Sequence, residues 1–111
     1  MNVYDSAYKL KDSLVESTEV KEYKASWDKI KQNPNNKKMI DDFRAKQLEI
    51  QAMQLSGKEP DKEKVDQIEK LYNVISLNPE VNNFLQCEYR LGTLMNDITK
   101  IISEGIDIDI K

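Results

Sequence analysis

The side chains best equipped for chemistry in this 111-residue chain are the carboxylates Asp41, Asp42, Glu49, Glu88 and Asp97, together with a single cysteine, Cys87. Facing carboxylates could hold a divalent metal, but the chain has no histidine, and di-metal helical bundles add a Glu-x-x-His pair to their carboxylates. Zinc and other nitrogen- or sulfur-ligated metals lack their donors. Ser-His-Asp and Cys-His catalysis fall with the same absence. Phosphate-cradling loops need clustered glycines, whereas Gly57, Gly92 and Gly105 stand alone. Cys87 sits beside an apolar arc and reads as an inert buried thiol. No catalytic residue, metal or cofactor is expected.

Charge narrows the partners. The pI of about 5.0 argues against a strong electrostatic grip on nucleic acid. Residues 1 to 38 hold 8 lysines against 6 acids, and the remainder 9 basic residues against 14 acids. The tilt is mild, and the basic stretch reads first as a solvated helix face. Lys31, Lys37 and Lys38 are the residues an RNA-binding alternative would use. Apolar residues never run beyond two in succession, while a membrane-spanning helix needs about 20. With one cysteine and no export signal, the expected compartment is the cytoplasm.

Any site must be positioned by helices, because apolar residues recur at spacings of three and four along the chain. The first helix runs from Val3 to Glu16 behind Asn2 as N-cap, with the stripe Val3, Ala7, Leu10 and Leu14. The second covers about 18–32, with Val20, Tyr23, Trp27 and Ile30 on one narrow face. Asn33-Pro34 then restarts the chain, a cap followed by proline at the first helical position. This third helix reaches residue 55 or 56, where Gly57 releases it into a polar turn. The fourth spans about 61–76, with Val65, Ile68, Leu71, Tyr72 and Ile75 on one side. Asn78-Pro79 repeats the cap and launches a fifth helix to about Ser103, ended by Gly105. The expected fold is all-α, an elongated bundle or hairpin of about five helices, in one domain over 1–104 with a tail over 105–111. In that tail Ile106, Ile108 and Ile110 alternate with aspartates, a period that suits either a short strand or a frayed end.

The two Asn-Pro pairs lie 45 residues apart, and superposing them brings Val20 onto Val65 and Ile30 onto Ile75, as a helix-Asn-Pro-helix unit used twice would do. Helices three and five carry more apolar residues than one neighbour can cover. On helix three, Met39, Phe43, Ile50 and Met53 form one stripe, while Leu48, Ala52 and Leu55 stand roughly opposite. Gln47, Gln51 and Gln54 fall between the two. Helix five spreads its apolar residues over about 200° at the helical repeat. Dimerisation would complete the bundle, through Leu48, Gln51, Ala52 and Leu55 on helix three and Leu91, Leu94, Ile98 and Ile101 on helix five. A monomer in which helices one and two wrap both faces is the other solution. Gly92, in a helix interior, suggests close approach by another backbone.

The opening Asn2-Val3-Tyr4-Asp5, the segment Glu22-Tyr23-Lys24 and the run Asp42-Phe43-Arg44-Ala45-Lys46-Gln47-Leu48-Glu49-Ile50-Gln51 resemble the YlbF/YmcA family of small bacterial helical proteins, in its YheA-like branch. The resemblance extends through Gly57 to Pro60, Leu77-Asn78-Pro79 and the ending from Asp97-Ile98 to Ile101-Ile102. It implies an all-helical cytoplasmic protein that forms dimers or larger assemblies and carries no catalytic residues. Relatives named YlbF and YmcA act as accessory subunits with YaaT in RNase Y-dependent mRNA maturation, competence and biofilm formation. Iron-sulfur binding, implicated for some relatives, is not expected, since Cys87 alone could not hold a cluster within one subunit. The expected function is a non-enzymatic interaction or adaptor protein that self-associates and binds protein partners, linked to RNA processing or developmental regulation.

Overall fold

A computed structural model describes residues 2–107, which form five α-helices and, among those residues, no strand. They are α1 (Val3–Glu16), α2 (Thr18–Lys31), α3 (Pro34–Leu55), α4 (Lys62–Ser76) and α5 (Pro79–Ile106). The all-α class and the two long helices, of 22 and 28 residues, are as the periodicity predicts.

Capping chemistry sets nearly every boundary. The Asn2 side chain accepts from the Tyr4 amide at 2.7 Å and opens α1. Ser17 alone joins α1 to α2: its hydroxyl donates to the Leu14 carbonyl at 2.6 Å and accepts from the Val20 amide at 3.2 Å. One side chain thus closes one helix and opens the next. Gly57, at φ +80°, ends α3 in a Schellman turn, with Lys58 N–H bonded to the Met53 carbonyl at 3.0 Å and Gly57 N–H to that of Gln54 at 3.1 Å. Asp61 caps α4 through the Glu63 amide at 3.3 Å.

The 45-residue correspondence holds at the level of single hydrogen bonds. Asn33 N–H bonds to the Ile30 carbonyl at 3.1 Å, and Asn78 N–H to the Ile75 carbonyl at 2.9 Å. The Asn33 carbonyl accepts from Lys37 at 3.1 Å, and the Asn78 carbonyl from Asn82 at 2.9 Å. Ile30 and Ile75 are both fully buried.

Two expectations fail. Gly105 does not end α5, which continues to Ile106; the left-handed residue is Asp107, at φ 55°, an aspartate being one of the few residues that tolerates that region. Gly92 meets no neighbour, since a Cβ built on it has nothing within 4 Å, so this glycine marks no close helix approach. Ile108 and Ile110, and with them the proposed alternation, lie outside the described residues.

The chain divides into two compact units, residues 1–27 with 84–111, and residues 28–83. In the first, Phe84 is fully buried, with its ring centroid 5.4 Å from those of both Tyr23 and Trp27. Tilted ring pairs at this spacing add to the area they bury. Cys87 and Ser26 are buried here too, and Arg90 pairs with Glu22 at 3.3 Å. In the second unit α3 and α4 pack antiparallel: Phe43 stacks on Tyr72 at 6.3 Å, and further along Glu49 meets Lys64 at 3.1 Å. Ile30, Ile40, Phe43, Ile75 and Val81 form its buried apolar set.

Candidate self-association surface

Leu48, Gln51, Ala52 and Leu55 follow the i, i+3, i+4, i+7 spacing that puts side chains on one face of a helix. In α3 that face is turned from the residues seen to meet α4, because Phe43 and Glu49, which meet Tyr72 and Lys64, lie more than about 100° from its centre on the helical wheel. All four residues are exposed, Leu48 at 64% and Leu55 at 89%. Gln47 and Gln54 are exposed beside them. The stripe is therefore apolar at both ends, small and amide-bearing in the middle, and largely uncovered among the described residues.

The α5 members are placed differently. Leu91, Leu94 and Ile98 are half-buried, and only Ile101 is largely exposed, at 67%. Met95, Ile102 and Ile106, spaced i, i+7, i+11, add a second exposed line along the same helix. Within the first unit, part of the predicted α5 set serves the subunit's own packing.

Sequence reasoning placed α1 but did not foresee how little of it is covered. None of its 14 residues is buried, and Val3, Tyr4 and Tyr8 are each well over half exposed. Its stripe was legible as amphipathic, but periodicity says only that a face wants covering and does not name what covers it.

The lysines of the nucleic-acid alternative are exposed, and two are neutralised locally. Lys31 pairs with Asp28 at 3.3 Å and Lys37 with Asp41 at 3.2 Å; Lys38 is exposed on the next position of α3. Such pairs weaken the positive field that phosphate binding requires.

The carboxylates do not assemble a metal site: among the described residues no three His, Cys, Asp or Glu groups come together. Glu49 is instead an ion-pair partner. Its carboxyl is held below the usual carboxylate range, first by the hydrogen bond from Lys64 and then by the charges of Lys46 and Lys64, with desolvation opposing. Lys46 lies 3.9 Å from the same oxygen. Cys87 is buried and free, with an Arg90 guanidinium nitrogen 3.4 Å from its sulfur.

The one buried polar cluster shown in the second unit is structural in character. Asn36 is buried, accepts from the Asn78 amide at 2.8 Å and donates to Glu80 at 3.2 Å. Asn78 in turn accepts from the Val81 amide at 3.2 Å. The groove beside it, about 560 Å³ and open, is lined by Asn33, Met39, Val74 and Leu77 among others, and offers no titratable pair for acid-base work.

Comparison with known proteins agrees with the helical fold. The chain is 43% identical over 108 residues to a UPF0342 protein of Symbiobacterium thermophilum, covering 97% of this chain and 96% of that one. A UPF0342 protein of Caldicellulosiruptor saccharolyticus is 42% identical over 107 residues, covering 96% and 89%. Among solved structures, a protein of unknown function from Bacillus stearothermophilus superposes with a TM-score of 0.79 at 14% identity, covering 95% of this chain and 92% of that one. YheA from Bacillus subtilis gives 0.67 at 23% identity, covering 96% and 97%. At these identities the two structures speak to the fold alone. The family model described as control of competence regulator ComK, YlbF/YmcA, matches residues 3–107, and the chain belongs to that family.

Proposed function

We propose that this protein is a non-enzymatic helical adaptor that self-associates through α3 and offers its remaining apolar surface to a protein partner. The observation that carries the reading is the exposure of Leu48, Gln51, Ala52 and Leu55 on the α3 face turned from α4. Covering two such leucines is worth about 3 to 6 kcal/mol per chain. In a two-fold pair that sum falls in the range of the roughly 4 to 15 kcal/mol that association costs in lost freedom. Self-association of moderate strength, reinforced by other contacts, is the consequence. The family's tie to control of a competence regulator fits an adaptor better than a catalyst, and the RNA-processing or developmental setting implied by the resemblance supplies a place for one. The uncovered face of α1 is the surface this reading assigns to the partner.

The test is Leu48→Glu combined with Leu55→Glu. Two charges in the centre of the contact should give a monomer in light scattering, with helicity by circular dichroism unchanged, since neither side chain is buried in the subunit. An unchanged mass with retained helicity would reject α3 as the contact.

A further inference from the structure

Proline or glycine stands at three of the helix junctions: Pro34 and Pro79 each open a helix, and Gly57 and Pro60 separate α3 from α4. The α1–α2 junction has neither. It is Ser17 alone, at φ −68° and ψ 150°. That φ is already helical, so rotating one torsion, ψ, by roughly 170° would give Ser17 helical geometry. Its N–H, now bonded to the Leu14 carbonyl at 3.0 Å, would then reach back four residues, as would the amides of Thr18, Glu19 and Val20. The carbonyls they would meet, those of Ser13, Leu14, Val15 and Glu16, are the ones that the end of α1 leaves outside its own ladder. We infer that Ser17 is a hinge, through which α1 and α2 can fuse into one continuous helix from Val3 to Lys31.

The bend is held by few contacts. The Ser17 hydroxyl bonds to the Leu14 carbonyl and to the Val20 amide, and one ion pair crosses the joint, Glu16 with Lys21 at 3.0 Å. Residues five apart are not neighbours on a helix, so that pair breaks on straightening and Glu16 comes beside Glu19 instead. These contacts make the bent form the resting one, although the ion pair is exposed and therefore weak. Side-chain packing of α1 adds little, since none of its residues is buried and only Leu14 is half-covered. The fixed half is α2, where Ser26 and Ile30 are buried and the rings of Tyr23 and Trp27 meet Phe84. What swings is therefore α1. In the straight helix, about 43 Å long, Val3, Ala7, Leu10 and Leu14 would stand about 150° round from Val20, Tyr23, Trp27 and Ile30. The hinge thus turns the α1 stripe away from the side on which α2 packs and presents it to another molecule.

Spin labels on Lys9→Cys and Lys24→Cys, both exposed positions, read the joint by pulsed electron resonance, with the buried Cys87 left in place. Their Cα atoms lie about 22 Å apart in a continuous helix and closer together in the bent form. With Ser17 and Thr18 intact the shorter distance should predominate. Two substitutions should then move the distribution in opposite directions. Ser17→Ala removes both hydroxyl bonds and should raise the ratio of long to short distances at least about fivefold, the worth of a typical cap. Thr18→Pro should abolish the long distance with helicity by circular dichroism retained. Proline suits the first position of α2, and Ser17 already has the extended ψ that a residue before proline prefers, whereas proline inside a continuous helix breaks the ladder. A Ser17→Ala distribution confined to the short distance, or a long distance that survives Thr18→Pro, would overturn the hinge. A large loss of helicity in Thr18→Pro would show that the joint is straight at rest and overturn it as well.

Discussion

Asn33-Pro34 and Asn78-Pro79 are the same two residues in the same backbone setting, yet they carry different burdens. The Asn33 side chain serves only its own helix, accepting from the amides of Asn35 at 3.0 Å and Asn36 at 3.4 Å. Asn78 divides itself: its oxygen caps α5 through Val81, and its nitrogen reaches the buried Asn36 oxygen, 42 residues away in sequence. One asparagine is a local cap, and the other is a cap that also ties α5 to α3. A repeated dipeptide therefore predicts repeated backbone geometry, while the tertiary load depends on what the fold places opposite it.

The comparison can be broken at its hydrophobic base first. Ile30→Ala and Ile75→Ala truncate equivalent, fully buried side chains, and each should cost about 2 to 5 kcal/mol in urea unfolding. Losses differing by more than a factor of two would show that the junctions are alike in hydrogen bonding only. Next comes the asymmetry between the asparagines. Asn78→Ala removes a cap and leaves the Asn36 oxygen buried without its donor, for a loss of about 2 to 4 kcal/mol. Asn33→Ala removes a cap alone and should cost about 1 kcal/mol. A double-mutant cycle with Asn36→Ala sharpens this: Asn78 should couple to Asn36 strongly and Asn33 weakly. Equal losses and equal couplings would make both asparagines simple caps.

The smallest effect is electrostatic and lies elsewhere in the second unit. Glu49, its carboxyl held low by Lys64 and Lys46, contributes stability that is in place above its unfolded-state pKa. That contribution disappears as the pH falls through the lower, folded-state value. Thermal unfolding of the wild type should therefore lose a little more on acidification than that of Glu49→Gln. Because the side chain is still 42% exposed, solvent screening keeps the difference small.

How far the sequence could be read follows from the range of each interaction. The five helices and most of their ends were legible because caps act over two or three residues: Asn2, Asn33, Gly57 and Asp61 all act locally. The exposed Leu48 and Leu55 were legible because two opposed stripes on one helix exceed what a single neighbour covers. Gly92 misled because a missing side chain signals permitted approach and not actual approach. Gly105 misled because a glycine can continue a helix when its φ stays negative, leaving Asp107 to turn the chain. The Asn36 cluster was invisible, since its partners Asn78 and Glu80 are more than 40 residues distant and no local pattern announces them. The share of Leu91, Leu94 and Ile98 that the first unit covers was equally unreadable, being decided by the tertiary fold.

The unburied state of α1 has a thermodynamic corollary. A 14-residue helix with no buried residue, in which only Leu14 is half-covered, leans largely on its own backbone ladder and the caps at its ends, and isolated helices of roughly 12 to 15 residues are marginal in water. Its amide protons should exchange faster than those around Phe84 by a wide margin, and should slow sharply once another molecule settles over Val3, Tyr4 and Tyr8. Exchange along the first helix is thus the readout for the partner proposed for that face.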